Sequence, residues 1–300
     1  MRFKLKILIT GALGFVGNNL YLKLKRKYEI VGIGRKNKNY KIKYKNIVEK
    51  KITHKNLVNL NFKPDIIFHC AGSGSVTKSI KDPKLDYEKN VNTTKELIKF
   101  ISELTKKPKV IMFSSAAVYG NSCKKNKKEL KPISPYGRNK LRSENILLKK
   151  SEKFKFQLII LRFYSIYGAG LKKQLIWDAC KKIRYKKNYF FGTGEEIRSW
   201  INIKDVIRFS DFLIKKKLKH NKILDVSSNI VIKNKVLLSK LFKLLKFKEE
   251  PIFNNIKKKG DPRNQIFNNH NLKLFGWSFN IKLEDGLNQY IAWFKKNLKK

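Results

Sequence analysis

Tyr136 and Lys140 stand four residues apart in a segment that begins with Pro135 and has the spacing of a helix. Residues at this separation share one face of a helix, so the phenol and the ammonium would lie side by side. A tyrosine hydroxyl is a poor base at neutral pH because its ordinary pKa is about 10, and a neighbouring ammonium is expected to lower that pKa. The pair could therefore exchange a proton with a hydroxyl of a bound substrate.

A serine stands where the substrate of such a pair would bind. Ser115 follows Val110 to Phe113, an apolar run that predicts a buried strand, so it lies at the carboxyl edge of the sheet, where ligands bind in open α/β folds. Its hydroxyl could hold a substrate oxygen, although serines at strand ends also serve as ordinary turn and capping residues. Because Tyr-x-x-x-Lys arises by chance in lysine-rich chains, the serine adds weight. We predict Ser115, Tyr136 and Lys140 as the catalytic group.

Three glycines form a predicted phosphate-binding turn between a strand and a helix. In dinucleotide-binding folds the first glycine permits the tight turn, the second lets the backbone approach a pyrophosphate, and the third lets the helix pack closely. The helix N-terminus then offers free N–H groups to the anion. A glycine-rich loop without a ligand is the simpler alternative, but position and spacing favour a cofactor. The predicted contacts are Gly11, Gly14, Phe15, Val16 and Gly17.

The end of the second predicted strand bears on the choice of cofactor. Folds that bind NAD carry Asp or Glu there, which hydrogen bonds to the ribose 2′-hydroxyl, whereas here the strand ends in Gly34 and Arg35. A phosphate on that oxygen would suit Arg35, so NADP is slightly favoured over NAD. Alternatively, Arg35 is one more surface cation of a very basic protein.

The elements around these residues alternate between strands and helices. Apolar runs predict strands at 5–10, 30–33, 65–70, 110–113 and 158–163, and helical spacing includes 87–104, 136–149 and 283–298. This alternation predicts an α/β fold with a Rossmann-like, doubly wound parallel sheet. The rhythm breaks after residue 167. We therefore expect a dinucleotide-binding domain over 1–165, with return of parts of 200–232, and a smaller C-terminal domain over 166–300 that mainly binds substrate.

Positive charge dominates the composition. The 300 residues include 70 Lys and Arg against 22 Asp and Glu, a formal net charge of +48. Such charge suits nucleic acid, an anionic membrane or an anionic substrate, but it is spread over the whole length, so compositional drift is favoured over a specific nucleic-acid partner. No apolar run reaches the length of a membrane-spanning helix. Three distant cysteines favour neither disulfides nor zinc, and we expect a cytoplasmic protein with no metal site.

Several motifs follow one another in an order that resembles a known family. They are the glycine turn, Asp65 to Gly72, Tyr87 to Val91, Ser115 to Gly120, Tyr136 to Lys140, Leu161 to Gly168, Gly192 to Val206 and Lys257 to Asp261. The chain thereby resembles the extended short-chain dehydrogenase/reductase family. More narrowly, it resembles the NAD-dependent epimerase/dehydratase branch that includes UDP-glucose 4-epimerase, and the likeness runs nearly end to end.

The resemblance implies further contacts and a partner. Ala71 and Asn90 would contact the cofactor together with Tyr136 and Lys140. A nucleotide-diphosphate sugar would be bound by Ser115, Ser165, Arg198, Lys258 and Asp261, and Arg198 would grip the diphosphate. Ser165 stands in place of a usual Asn, and Lys258 in place of an Arg, so the latter would meet phosphate as a point charge. A homodimer formed by helices near Tyr136 is also implied.

Two alanines narrow the reaction that the resemblance implies. Dehydratases of this branch place Asp-Glu directly after the catalytic Ser or Thr, whereas Ala116 and Ala117 here cannot titrate. Dehydration is therefore disfavoured, as is decarboxylation of a UDP-uronic acid. C4 epimerisation of a nucleotide sugar through a transient 4-keto intermediate is the leading hypothesis. An NADPH-dependent nucleotide-4-keto-sugar reductase, which Arg35 favours, is the alternative, and a non-catalytic RNA-binding protein with the same fold is a distant one.

Overall fold

Seven parallel strands form one sheet at the centre of the computed structural model, which describes residues 4–35, 44–122, 129–257, 259–267, 272–273 and 275–298. Numbered in chain order and given from one edge to the other, the strands are β10 (Lys222–Val226), β6 (Leu158–Phe163), β5 (Lys109–Ser115), β4 (Ile66–His69), β1 (Lys6–Thr10), β2 (Glu29–Gly34) and β3 (Ile47–Glu49). The strand order reverses between β1 and β4, and ligands bind at such a switch point.

Helices cover both faces of this sheet. One face carries α1 (Phe15–Leu24) and α8 (Ile203–Lys215), and the other carries α2 (His54–Val58), α5 (Thr93–Glu103) and α6 (Pro135–Phe154). Strands covered on both sides must be apolar throughout. On β1, Ile7 and Ile9 pack into one layer and Leu8 into the other, and all three are fully buried. The predicted doubly wound parallel sheet is confirmed.

The segment between β4 and α5 is divided into shorter helical elements than its helical spacing predicts. It contains α3 (Val76–Lys81), α4 (Pro83–Tyr87) and a π-helical turn, Glu88–Asn92, before α5 begins. Asp82 caps α4, since its carboxylate accepts a hydrogen bond from Leu85 N at 2.9 Å. The single helix predicted over 87–104 is therefore three successive pieces. A π turn takes one extra residue, which apolar periodicity does not reveal.

A second, smaller region follows β6. β9 (Ile197–Asn202) pairs with β7 (Ser165–Tyr167), β11 (Ile230–Lys233) and β13 (Asn264–Gln265), while β8 (Tyr189–Phe190) pairs with β12 (Ile252–Phe253). Three helices share a separate core with these strands: α7 (Gln174–Arg184), α9 (Asn234–Leu244) and α10 (Leu283–Leu298). From this part of the described chain, β10 joins the large sheet and α8 packs on it, and Phe267 and Leu272 join the same core. None of the described helices has the length and hydropathy needed to span a membrane.

Candidate active site

The glycine turn joins β1 to α1 at the switch point of the sheet. Gly11 has a φ of +73°, and a Cβ there would lie 2.7 Å from the backbone nitrogen of Ala71. A Cβ on Gly17 would lie 2.3 Å from the carbonyl oxygen of Gly11. The turn thus needs glycine at both places, one for its backbone conformation and one for the close approach of α1 to the turn.

The start of α1 is arranged to receive an anion. Gly14 precedes the helix and supplies no side-chain cap, so no side chain satisfies the N–H groups of its first turn. Those groups and the positive end of the helix dipole favour a phosphate. The predicted contacts Phe15 and Val16 stand in this first turn and line the adjoining cleft. These features fit a dinucleotide.

Asn90 supplies a second feature that fits a ligand. Its side chain lies in the π turn, is 2% exposed, and donates from Nδ2 to the backbone oxygen of Asp86 at 3.0 Å. Its Oδ1 atom is buried with no hydrogen-bond partner among the described residues. That oxygen lies against Gly72, where a Cβ would come within 2.5 Å of it. An acceptor left open behind the loop that follows β4 suits a donor brought by a cofactor or by water.

The three predicted catalytic residues come together at the carboxyl edge of β5. Ser115 ends that strand, and its hydroxyl lies close enough to the phenol of Tyr136 to act on the pKa of that phenol. Ser134 caps α6 by accepting from Gly137 N at 3.1 Å, which places Tyr136 and Lys140 on successive turns. The Lys140 ammonium donates to the carbonyl oxygen of Phe113 at 2.9 Å. A proton could therefore pass between the phenol and the serine hydroxyl.

The acidity of this group differs from the prediction. Burial raises the pKa of Tyr136 to about 12, and the nearby Asp86 carboxylate adds to the rise, while the Ser115 hydrogen bond opposes it. Burial also lowers the pKa of Lys140 to about 8, against the carboxylates of Asp86 and Glu144, which raise it. The expectation that the ammonium leaves Tyr136 with a lowered pKa is wrong, because the pKa of this phenol is raised. Desolvation of the phenol is the largest cause of that rise.

Asp86 is a buried carboxylate that sequence reasoning missed. It is 3% exposed and accepts from Asn139 Nδ2 at 2.9 Å and from Asn90 Nδ2 at 3.2 Å through one oxygen. Its other oxygen has no partner among the described residues. The sequence signal for Asp86 was its position four residues, about one helical turn, before Asn90. Asp86 therefore joins α4, the π turn and α6 beneath Tyr136 and Lys140.

A second buried cluster holds the strands that carry the site. Arg162 on β6 donates to Glu144 of α6 from Nη2 at 2.6 Å and from Nε at 3.1 Å to each carboxylate oxygen. Ser114 also donates to Glu144, and Arg162 reaches the Tyr119 hydroxyl at 2.8 Å. Tyr119 in turn donates to Asp225 of β10 at 2.9 Å. This chain of charge-assisted bonds fixes β5, β6, β10 and α6 relative to one another.

His69 has a structural role. Its ring lies between the hydroxyls of Thr10 and Thr94, with Nδ1 at 2.8 Å from the first and Nε2 at 3.0 Å from the second. Burial lowers the pKa of His69 to about 3, and the charge of Lys140 contributes to the shift. The imidazole is therefore neutral at pH 7 and ties β4 to β1 and α5.

The predicted substrate residues are only partly assembled. Arg198, at the start of β9, donates to the carbonyl oxygens of Arg263 at 2.9 Å and Pro262 at 2.7 Å, and to Asp261 at 3.1 Å. The guanidinium thus anchors the segment 261–263 as well as lining the cleft. Ser165 lies on β7 at the cleft wall. Lys258 lies outside the described residues.

One cleft connects these places. Its volume is about 1990 Å³, larger than the roughly 300–1,000 Å³ of a typical small-molecule site, so it has room for two ligands. Every predicted site residue that the structure describes lines it, except Asn90, which lies behind Gly72. Arg35 is exposed where β2 ends. Sequence reasoning missed Lys78 and Lys173, which also line the cleft.

Comparison with known proteins agrees with this geometry. The chain is 28% identical over 251 residues to UDP-glucose 4-epimerase of Mycoplasma genitalium. This alignment covers 73% of this chain and 74% of the relative. The crystal structure of UDP-glucuronic acid 4-epimerase from Bacillus cereus, in complex with UDP-glucuronic acid and NAD, superposes with a TM-score of 0.90 at 23% identity, covering 98% of this chain and 100% of that one. That of Thermotoga maritima UDP-glucose 4-epimerase with UDP-glucose gives 0.87 at 23% identity, covering 98% and 100%.

The cofactor in these solved neighbours bears on one prediction. The Bacillus cereus complex contains NAD, which gives no support to the preference for NADP that Arg35 suggested. The family model for NAD dependent epimerases and dehydratases matches residues 7–227, a span that holds the glycine turn, the Ser115–Tyr136–Lys140 group and β10. The chain belongs to the NAD dependent epimerase/dehydratase family.

Proposed function

We propose that this protein is a nucleotide-sugar 4-epimerase that uses a nicotinamide dinucleotide. The observation that carries the proposal is that Ser115, Tyr136 and Lys140 line one cleft, which also contains the glycine turn. The alanines at 116 and 117 leave no titratable side chain directly after Ser115 for the removal of water. Proton and hydride exchange at one carbon is the chemistry that remains.

Each residue of the group has a distinct task in that chemistry. Ser115 would hold the oxygen on C4 of the sugar, and Tyr136 would accept its proton and later return it. The charge of Lys140 would favour the phenolate of Tyr136. A hydrogen bond from the Lys140 ammonium to the carbonyl oxygen of Phe113 holds that charge near the end of β5. When bound, the nicotinamide supplies the hydride acceptor and donor. The glycine turn, Ala71 and Asn90 would hold the dinucleotide.

The cofactor we propose is NAD, because the solved neighbours that contain a cofactor hold NAD. Arg35 is exposed at the end of β2 and has no acidic neighbour in the two residues before it, so it would accept a 2′-phosphate as well. The mass of the dinucleotide released from purified protein decides between the two. NADP as the retained species would overturn the proposal of NAD and leave the epimerase proposal standing.

The assay for the reaction contains a UDP-sugar and no added reductant. An epimerase interconverts the two C4 epimers to an equilibrium mixture without net consumption of NADH or NADPH. Tyr136→Phe should lower turnover by about 10²–10⁴-fold, the usual contribution of general acid–base catalysis, while UDP-sugar binding persists. If conversion requires stoichiometric NADPH, the protein is a reductase. If no sugar is converted and RNA binds with strong salt dependence, it is a binding protein.

We further propose that residues 1–165 with β10 hold the cofactor and that 166–300 mainly hold the sugar nucleotide. Arg198 and Asp261 line the cleft from the second of these regions and support this division. The proposed assembly is a homodimer through the helices near Tyr136, and the proposed location is the cytoplasm, where the free Cys70 and Cys180 would stay reduced. Light scattering of the purified protein would measure whether it is a dimer.

A further inference from the structure

Two lysines face the cleft beside the candidate catalytic group. Lys173 directly precedes α7, and its Nζ donates to the carbonyl oxygen of Gly74 at 3.2 Å. Lys78 lies on α3, immediately after the loop that contains Gly74. Both side chains line the cleft. A ligand in the cleft can therefore reach both ammonium groups.

The two ammonium groups lack a neutralising partner within the described chain. Two of the carboxylates that line the same cleft are engaged elsewhere: Asp178 pairs with Lys182 at 3.0 Å, and Asp261 pairs with Arg198 at 3.1 Å. No described carboxylate lies within ion-pair distance of Lys78 or Lys173. Surrounding protein lowers the pKa of Lys173, and the charge of Lys78 lowers it further. Two like charges held together in a cleft carry a cost that a bound anion would relieve.

The position of Lys173 relates this charge to the reacting carbon. The charge of Lys173 also lowers the pKa of Lys140, so the two ammonium groups interact electrostatically. The loop after β4 connects them, since a Cβ on Gly72 would lie 3.2 Å from Lys140 Nζ and Gly74 holds Lys173. An anion bound by Lys173 would therefore lie on the side of the cleft where this loop meets Lys140.

We propose that Lys173, assisted by Lys78, binds a carboxylate on the sugar ring, and that the preferred substrate is a nucleotide-linked hexuronic acid. The inference rests on the proposed epimerase function and adds the substrate class. In a hexopyranose, C6 is attached to C5, the direct neighbour of C4, so a C6 carboxylate lies beside the reacting centre. The diphosphate is attached at C1, across the ring from C4. The lysines thus match the carboxylate rather than the diphosphate.

The N-terminus of α7 also favours a carboxylate at this place. No side chain caps its first turn, and Lys173 and Gln174 at that turn line the cleft. The partial positive charge of the helix N-terminus therefore acts in the same direction as the two ammonium groups. An uncharged CH₂OH group at C6 would leave this charge without a counter-ion. The site should consequently discriminate between a hexuronate and its neutral hexose counterpart.

The test compares UDP-glucuronate, UDP-glucose and UDP as ligands of Tyr136→Phe protein, in which turnover is expected to be slow. Binding is measured by calorimetry. We expect UDP-glucuronate to bind at least about tenfold more tightly than UDP-glucose, the ratio that one charge-assisted hydrogen bond supplies. Adding Lys173→Met should remove most of this ratio and leave the affinities for UDP and UDP-glucose within about twofold. Lys173→Arg should keep it, since the charge remains.

Lys182→Met is the matched control, because Lys182 lines the same cleft but is already paired with Asp178. It should leave the ratio unchanged. An equal loss of affinity for all three ligands in Lys173→Met would assign Lys173 to the diphosphate and overturn the proposal. So would a ratio near one in the protein that retains Lys173.

Turnover separates this inference from the function on which it rests. Epimerisation of UDP-glucose that exceeds that of UDP-glucuronate in kcat/KM would reject the hexuronate and keep the epimerase. Absence of conversion with both sugars, together with the expected binding ratio, would reject the epimerase and keep the carboxylate site. Preferred conversion of UDP-glucuronate, lost selectively in Lys173→Met, supports both.

Discussion

Glu144→Gln tests whether the buried cluster beneath the site is as strong as its geometry indicates. Glu144 is fully buried, and its carboxylate accepts two groups of bonds, from the guanidinium of Arg162 and from the hydroxyl of Ser114. Glutamine has nearly the same shape, but it carries no charge and turns an N–H₂ group towards the Arg162 donors. The substitution therefore leaves a guanidinium that is 9% exposed without its counter-ion.

Removal of one partner from a buried ion pair costs about 3–5 kcal/mol. The entropy of unfolding is about 2.1 cal/mol/K per residue, which for 300 residues is about 0.6 kcal/mol/K. Glu144→Gln should therefore lower Tm by roughly 5–8 °C in differential scanning calorimetry. Asp178→Asn removes the exposed pair with Lys182 and should lower Tm by less than about 2 °C, since such pairs contribute about 0.2–1 kcal/mol.

The double variant Glu144→Leu with Arg162→Met separates charge from packing. It removes both buried charges and replaces them with apolar side chains, so it should recover more than half of the Tm that Glu144→Gln loses. A Tm of Glu144→Gln within 2 °C of the unmodified protein would refute the reasoning, because it would mean that Arg162 finds water or another acceptor. A double variant no more stable than the single one would show that shape, rather than charge, governs the cluster.

Asp86→Asn removes a buried charge that raises the pKa values of both Tyr136 and Lys140. Both pKa values should fall, and the limbs of the kcat/KM profile should move to lower pH; an unmoved profile would contradict a role for this charge. His69→Gln tests acid stability, because the pKa of His69 is about 3 in the fold and about 6.5 when unfolded. The unfolded chain takes up the proton first, so this stability is present above pH 6.5 and is lost as pH falls towards 3, by up to about 1.4 kcal/mol per unit. Thermal unfolding between pH 7 and 4 should decline less steeply in His69→Gln, and parallel curves would contradict it.

Local sequence patterns account for much of the large sheet. β6 and α10 begin and end at the predicted residues. β1 differs from prediction by one residue at one end, and β2, β4 and β5 differ by one or two residues at each end. Continuous apolar runs in short strands and three spaced glycines are local signals, so a single sequence reveals them. The membership of the family, expected from the order of the motifs, is confirmed by the match over 7–227.

Contacts between distant parts of the chain were beyond local patterns. Arg162 and Glu144 are 18 residues apart, and Arg198 and Asp261 are 63 residues apart. Arg198 and Asp261 were both predicted to bind the substrate, and the structure joins them to each other. In a chain with 70 Lys and Arg, sequence alone also gave no reason to single out Lys173. Only the fold shows which cations line the cleft with no described carboxylate within ion-pair distance.

Tyr136 shows most clearly why spacing identifies a catalytic group and leaves its acidity open. The interval to Lys140 correctly predicts a shared face, but the sign of a pKa shift depends on the balance of burial and charge. Asp86 is 50 positions away in sequence, and its carboxylate adds to the burial that keeps the proton on Tyr136. The phenol acts as a proton acceptor only where positive charge outweighs burial and the charge of Asp86.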